Sequence, residues 1–282
     1  MSEPTEATTS ILTLILTPDG LTPTPYRART LADAIGLEPG GVYTVARTFH
    51  GNRALLLDAH LDRLEESARL SGIPLALDRD RLRAGLREAL EMAGYPETKF
   101  RITVPRDNPS HIYLALEPFQ PVPEHIQREG ARVVTLPLVR ANPVVKTTEW
   151  MTVRKPSYEA LPPGVYEGIL ISEKGHLLEG MSSNFYAVID GVLMTAGEGV
   201  LAGITRRAVL EIARELLPVR LEAPHRRDIP RFAEAFLTSS GRGVVPITYI
   251  DGQPVASGQV GPITKTLCAR YDEWTEAHSE PI

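Results

Sequence analysis

The stretch Leu178-Glu179-Gly180-Met181-Ser182-Ser183-Asn184-Phe185 opens the most informative segment of the chain. It leads into an apolar run, Asn184–Ile189, which the pair Asp190-Gly191 separates from a second run, Val192–Met194. An Asp-Gly pair between two apolar runs is a strong signal for a two-residue β-hairpin. The stretch therefore predicts a β-hairpin that closely follows one acidic residue, Glu179, in the chain. From these residues alone, that carboxylate is either functional or a solvated hairpin side chain.

The composition is that of a globular protein that binds small molecules. Of the 282 residues, 43% are hydrophobic and 23% charged, with a net charge of −5. This balance argues against a nucleic-acid surface or a polybasic membrane patch. The single cysteine, Cys268, excludes an internal disulfide. The polar start of the chain lacks a basic signal region, and the apolar run at residues 11–16 is too short to span a bilayer, so we expect a cytoplasmic protein.

Two domains are predicted. Residues 1–118 mix strands with two helices, the first capped by Asp58 and the second running from about Asp78 to Gly94. The run Pro118-Phe119-Gln120-Pro121-Val122-Pro123 holds three prolines and predicts an extended interdomain linker at residues 119–128. Residues 129–282 are richer in strands, with one helix at 205–217 and another from about Pro262. The fold class is therefore α/β, or more loosely α+β.

Several common kinds of site are excluded by pattern. The seven histidines do not lie at ligand spacing on one element, so no metal site is expected. The chain also lacks a Gly-x-Ser-x-Gly elbow, a phosphate-binding P-loop and a dinucleotide glycine fingerprint.

One of the five lysines stands apart from the others. Lys146 follows the apolar approach Asn142-Pro143-Val144-Val145. Apolar surroundings favour a neutral amine, as Schiff-base chemistry requires. The alternative is a surface lysine after a buried strand.

Two segments are able to bind an anion. Gly203-Ile204-Thr205 precedes a helix, where Thr205 can act as N-cap and free backbone N–H groups point outward. Thr238-Ser239-Ser240-Gly241 follows a short strand. The alternatives are an ordinary cap and a plain turn. Arg63, on the first helix, is by itself a surface arginine.

Taken together, these segments resemble the class IV aminotransferases, the fold type IV group of pyridoxal-phosphate enzymes. The group includes branched-chain and D-amino-acid aminotransferases and aminodeoxychorismate lyase. The stretch at 178–185 is similar to the family's E-G-x-S-S-N-x-F hairpin, and 201–206 to its L-x-G-I-T-R segment. Further similar segments, in the family's order, are Gly41 to Thr48, His60-Leu61-Asp62-Arg63-Leu64 and Glu234-Ala235-Phe236-Leu237-Thr238-Ser239.

The resemblance implies a role for each candidate residue. Lys146 would carry pyridoxal 5'-phosphate as a Schiff base and act as catalytic residue, and Glu179 would keep the pyridine nitrogen charged. The other implied cofactor-binding residues are Arg63, Ser183, Asn184, Gly203, Ile204, Thr205, Ser239 and Ser240. The implied substrate-side residues are Tyr43, Arg47 and Arg106. A larger pseudobarrel domain and a homodimer are also implied.

The chain departs from the family pattern at a few positions. Thr44 stands where the family usually has glutamate, and Pro156 predicts a kinked or partly unwound helix after Lys146. The resemblance favours a ping-pong aminotransferase acting on an amino donor and a 2-oxo acid. The first alternative is a lyase that eliminates pyruvate from aminodeoxychorismate, and the second is a non-catalytic relative.

Overall fold

The structure, a computed structural model, describes residues 10–282 and divides the chain into two compact units. The polar start that supports the expectation of a cytoplasmic protein lies almost wholly outside the described residues. The first unit takes residues up to 120, together with 146–152 and 280–282, and the second takes 121–145 and 153–279. The predicted domain boundary at 119–128 stays a prediction. Residues 146–152 and 280–282 group with the first unit, although the sequence places them in the second predicted domain.

The first unit is built on an antiparallel sheet. Its elements are β1 (Leu12–Thr17), β2 (Gly20–Pro23), β3 (Gly41–Phe49), β4 (Arg53–Leu55), α1 (Leu57–Leu70), α2 (Arg79–Ala93), β5 (Thr98–Pro105) and β6 (Ile112–Pro118). Among the described residues the sheet has seven strands in the order β16-β4-β3-β5-β6-β1-β2, where β16 is Ser279–Pro281 near the end of the chain. The central strand pair β3–β5 is antiparallel, with Tyr43 opposite Thr103.

The two helices of this unit begin in different ways. The predicted second helix is confirmed, because the Asp78 side chain accepts from the Arg81 N–H and Gly94 ends the helix at φ 63°. The prediction that Asp58 caps the first helix is wrong. That helix begins at Leu57, with Leu56 at φ 48° as its N-cap residue. Asp58 instead pairs with Arg83 at 2.9 Å.

The second unit holds the other elements. They are α3 (Glu124–Glu129), β7 (Ala131–Leu136), β8 (Glu167–Ile171), β9 (Leu177–Gly180), β10 (Asn184–Ile189), β11 (Val192–Met194), α5 (Ile204–Arg214), β12 (Val219–Arg220), β13 (Phe232–Ser239), β14 (Gly243–Ile250), β15 (Gln253–Pro254) and α6 (Pro262–His278). Between β7 and β8, α4 (Thr148–Glu159) begins in the first unit and ends in the second.

The sheet of the second unit closes on itself. Its strands run in the order β12-β11-β10-β13-β14-β7-β8-β9, and β9 pairs in turn with β10, where Asn184 lies opposite Glu179. The closing pair joins β9, at one end of the order, to β10, the third strand from the other end. The core of this unit is filled by apolar side chains such as Phe185, Leu237 and Ile247. The predicted α/β fold with a strand-rich pseudobarrel is confirmed.

Local sequence signals explain the main turns of this unit. Asp190 and Gly191 both adopt positive φ, 51° and 77°, as a type I′ hairpin turn requires. The predicted extended linker is only partly extended, because α3 begins directly after Pro123. Pro156 lies inside α4 without ending it, since Ala160 N–H still donates to the Pro156 carbonyl at 3.0 Å.

Helices in the described part of the chain are too short or too polar to cross a membrane.

Candidate active site

Lys146 is fixed to strand β3 within the first unit. Its carbonyl accepts the Tyr43 N–H at 3.0 Å, and its own N–H donates to Ser67 Oγ at 3.2 Å. The ammonium Nζ lies 4.6 Å from the centroid of the Tyr43 ring, which is buried. The structure thus brings together two predicted site residues, Lys146 and Tyr43. The amine lies over an aromatic face on a backbone that is held on both sides.

Arg63 lies beside a buried threonine–histidine pair in the same unit. Arg63 Nη2 donates to Thr44 Oγ1 at 3.3 Å, and that hydroxyl is 2.8 Å from His60 Nδ1. Burial, followed by the positive charges of Arg63 and Lys146, lowers the pKa of His60 well below its ordinary value. The imidazole is therefore neutral near pH 7.

The other two predicted substrate residues have contacts of their own. The Arg47 guanidinium carbon lies 4.0 Å from the Phe49 ring centroid and 4.2 Å from that of Phe119. Arg106, just after β5, donates from Nη1 to the Ser71 carbonyl at 2.7 Å. These contacts do not place either arginine beside Tyr43, and a role in substrate binding stays a prediction.

Glu179 is anchored at both carboxylate oxygens in the second unit. The Leu201 N–H donates to Oε2 at 3.0 Å, and Arg140 Nη1 donates to Oε1 at 3.1 Å. The Glu179 side chain is 3% exposed and that of Arg140 8% exposed. Glu179 is therefore a buried carboxylate of fixed orientation, and the reading of a solvated hairpin residue is wrong.

Asn184 and Gly203 hold the loop before α5 against this carboxylate. Asn184 Nδ2 donates to the Leu201 carbonyl at 2.8 Å, so the same loop residue contacts both Asn184 and Glu179. A Cβ at Gly203 would lie 2.2 Å from Asn184 Oδ1, which explains why the position holds glycine. Ser183 precedes Asn184, and its buried Oγ makes no hydrogen bond within residues 10–282.

The N-terminus of α5 presents unused donors. The helix begins at Ile204, with Gly203 as N-cap and no side-chain cap, so the predicted capping by Thr205 is wrong. The Thr205 residue is 2% exposed, and among the described residues its Oγ1 has no hydrogen-bond partner. A buried hydroxyl without a partner is costly unless something else satisfies it. Together with the free N–H groups of the first turn, it fits a bound phosphate.

The turn after β13 is braced by an arginine. Ser239 Oγ accepts from Arg242 Nε at 2.9 Å, and Ser240 follows at the tip of the turn, partly exposed. Arg242 Nη1 also reaches Glu167 Oε2 at 2.7 Å, and Nη2 reaches Ser182 Oγ at 2.9 Å. The predicted anion-binding turn is thereby joined to the Glu179 hairpin.

Glu167 is the centre of this network. It is 0% exposed, and its Oε1 accepts from the Ser182 N–H at 2.6 Å and from the Tyr158 hydroxyl at 3.1 Å. Burial raises the pKa of Glu167, but the charge of Arg242 and hydrogen bonds from Arg242 and Ser182 outweigh burial and leave it below the usual value. The carboxylate is ionised and fully engaged, so its role is to hold the turn in place.

Three further residues, Arg140, Glu167 and Arg242, were not predicted from the sequence. Each contacts its partner across a long stretch of chain, and none belongs to a short motif. The one available signal was Glu167 itself, a charged residue that opens an otherwise apolar strand. Such a residue is rarely buried without a partner, so it predicts an ion pair without naming the partner.

Comparison with known proteins identifies the family. The model of the family described as amino-transferase class IV matches residues 41–250. This chain belongs to the class IV aminotransferases. It is 31% identical over 242 residues to a D-alanine aminotransferase from Bacillus licheniformis, covering 80% of this chain and 84% of the relative. It is 26% identical over 266 residues to a branched-chain-amino-acid aminotransferase from Pseudomonas aeruginosa, covering 85% and 87%.

A solved structure shows the same fold. The T.th. branched-chain amino acid aminotransferase, in a crystal structure with pyridoxamine 5'-phosphate, aligns with a TM-score of 0.79 at 23% identity, covering 97% of this chain and 99% of that one. Class IV aminotransferases use pyridoxal 5'-phosphate. The residues of this class IV aminotransferase fit that group, because the unpartnered Thr205 hydroxyl at the start of α5 suits its phosphate.

Proposed function

We propose that this class IV aminotransferase moves an amino group from an amino acid or amine to a 2-oxo acid by a ping-pong mechanism. Lys146 is the residue to which pyridoxal 5'-phosphate is attached. When bound, that cofactor supplies an aldehyde that condenses with amines and a ring that withdraws electrons from them.

Lys146 holds and moves the proton in this proposal. A primary amine acts as a nucleophile and a base only when it is uncharged. Nζ of Lys146 lies 4.6 Å from the centroid of the buried Tyr43 ring. Hydrogen bonds to Tyr43 and Ser67 fix the Lys146 backbone. The flexible side chain can then move Nζ between the position where it holds the cofactor and the position where it transfers a proton.

Glu179 maintains a negative charge for the ring nitrogen. Its carboxylate is oriented by the Leu201 N–H and by Arg140, so it needs no rearrangement when a cation or an N–H donor arrives. Asn184 and Ser183 support the same hairpin, and Gly203 allows the loop to approach it.

The remaining predicted cofactor residues suit a phosphate. Ile204 and Thr205 offer backbone N–H groups and one hydroxyl at a helix N-terminus. Ser239 and Ser240 offer hydroxyls at the turn braced by Arg242. Arg63 offers a guanidinium, the group best suited to phosphate oxygens.

The observation that carries this proposal is the setting of Lys146. The other four lysines are paired with carboxylates or exposed: Lys99 pairs with the partly buried Glu117, Lys155 with the exposed Glu159, and Lys174 and Lys265 are exposed. In the described part of the chain, Nζ of Lys146 lies over the ring of the buried Tyr43.

The test is a product analysis with defined amino donors. The purified enzyme with added pyridoxal 5'-phosphate is incubated with branched-chain amino acids, D-alanine or simple amines, each with a 2-oxo acid. We expect the acceptor to become an amino acid with at least one donor, and the Lys146→Ala variant to be inactive. Pyruvate release from aminodeoxychorismate without any amino transfer would instead establish the lyase.

A further inference from the structure

Arg140 joins two parts of the second unit that matter to the proposed chemistry. It lies in the loop after β7, outside every segment that resembles the family. Nη1 donates to Glu179 Oε1 at 3.1 Å, and Nη2 donates to the carbonyl of Val145 at 2.8 Å. Val145 directly precedes Lys146 in the chain. One guanidinium therefore fastens the carboxylate to the segment that delivers the lysine.

The pair is buried rather than a surface contact. The side chains of Arg140 and Glu179 are 8% and 3% exposed. A buried charge-assisted hydrogen bond is directional and little screened by salt. A carboxylate has about four acceptor positions, so the donors from Arg140 and Leu201 orient Glu179 without exhausting it.

We propose that Arg140 is a positioning residue that orients Glu179 and partly neutralises its negative charge. The Glu179 carboxylate then attracts the proton on the cofactor ring nitrogen less strongly. The inference rests on the proposed function, because it takes Glu179 as the partner of the ring nitrogen. Arg140 does not touch the reacting atoms in this assignment. It acts through Glu179, whose other oxygen is held by the Leu201 N–H from the loop before α5.

The positive charge of Arg140 determines the direction in which a pH midpoint should shift when the residue is replaced. Removal of a buried cation raises the pKa of acidic groups that feel it, because their deprotonated forms lose a favourable interaction. In Arg140→Gln, the pH midpoint of the absorbance change of the bound cofactor should therefore move upward, by roughly one unit. Arg140→Lys keeps the charge and loses the two-pronged contact, so its midpoint should stay near that of the native enzyme.

The experiment is a pH titration of cofactor absorbance in the holoenzyme, together with the dissociation constant of pyridoxal 5'-phosphate from fluorescence titration. Arg154→Gln is the matched control, because Arg154 donates to the Met181 carbonyl in the same unit at 2.7 Å. We expect an upward shift and about tenfold weaker cofactor binding in Arg140→Gln only.

Two results would overturn the inference. One is an unchanged midpoint in Arg140→Gln, with loss of thermal stability alone, which would make Arg140 a structural residue. The other is an equal shift in Arg140→Lys and Arg140→Gln, which would make charge irrelevant. If Arg140→Gln does not fold, a native midpoint in Arg140→Lys supports the proposal and a displaced one contradicts it. Absence of any cofactor band in the native protein would refute the proposed function itself, and with it this inference.

Discussion

Thr205 has a hydroxyl that the folded protein leaves without a hydrogen bond among residues 10–282. Thr205→Val keeps the shape of the side chain and removes only that hydroxyl. Because the hydroxyl lacks a partner in the described residues, the cofactor-free variant should be as stable as the native protein or slightly more stable. Binding of pyridoxal 5'-phosphate should weaken about tenfold or more, the value of a hydrogen bond to a charged group.

Fluorescence titration and thermal melting with and without cofactor measure both effects. Thr266→Val, on the exposed face of α6, is the control and should leave cofactor affinity unchanged. Native cofactor affinity in Thr205→Val would show that the hydroxyl does not meet the phosphate.

His60 makes stability depend on pH. Its folded pKa is lowered by burial and by Arg63 and Lys146, so the unfolded chain binds its proton more readily. The contribution of the neutral form is complete above the unfolded value, near pH 6.5, and is lost as the pH falls below it. Between roughly pH 7.5 and pH 5.5 the loss should amount to about 1.4 kcal/mol.

Urea unfolding of the cofactor-free protein at both pH values tests this sign. His60→Gln should remove that part of the pH dependence, whatever its effect on stability at one pH. His125→Gln, at an exposed site in α3, should retain it. Equal pH dependence in native protein and His60→Gln would mean that His60 is not the group responsible.

At the scale of elements, the network around Glu167 fastens α4, the Glu179 hairpin and the turn after β13 to one another. Arg242→Met leaves a carboxylate uncompensated at a 0% exposed position. The expected loss is about 3 kcal/mol of the free energy of unfolding. The double variant Glu167→Gln/Arg242→Met should lose less, because it removes the buried charge as well.

Urea denaturation gives both values. Arg226→Met is the control, because Arg226 pairs with Asp251 at 3.0 Å while its side chain is 56% exposed, and its loss should cost under about 1 kcal/mol. A double variant that is no more stable than Arg242→Met would show that the unpaired charge is not the cause.

The elements themselves were largely predictable from local sequence. Asp78 and Gly94 delimit α2, and the Asp190-Gly191 turn joins β10 to β11, because cap and turn residues act on their own neighbours. Asp58 and Thr205 were misassigned as caps because the choice of first helical residue depends on the preceding backbone. The residue before α1 is Leu56, whose left-handed backbone conformation its side chain gives no reason to expect.

At the scale of the whole molecule, the motifs predicted the pseudobarrel, but not the ion pairs inside it. Glu179 is predictable because it lies in a short family-like segment, and Lys146 because it follows the apolar approach at residues 142–145. Arg242 and Glu167 lie far apart in sequence, and their contact exists only once β8 and the turn after β13 have assembled. Long-range polar pairs of this kind are invisible to periodicity and spacing.

The homodimer implied by the family stays a proposal, and exposed apolar side chains of the single chain support it. Three valines of the second unit are more than half exposed in the single chain: Val139 at 69%, Val144 at 56% and Val153 at 53%. Light scattering should therefore give twice the chain mass of 30.9 kDa. Val144→Asp should shift the mass toward the monomer, since a buried charge opposes association.

Leu221→Asp, at another exposed apolar site in the second unit, is the control and should remain dimeric. A monomeric native protein would contradict the proposal.

Chemical trapping tests directly whether Lys146 carries pyridoxal 5'-phosphate. Borohydride reduction of the protein with pyridoxal 5'-phosphate fixes the cofactor on the lysine that carries it, and trypsin then no longer cleaves after that residue. We expect one labelled peptide, residues 141–154, with the label on Lys146. A label on Lys155, which lies in the next peptide, or no label at all, would contradict it.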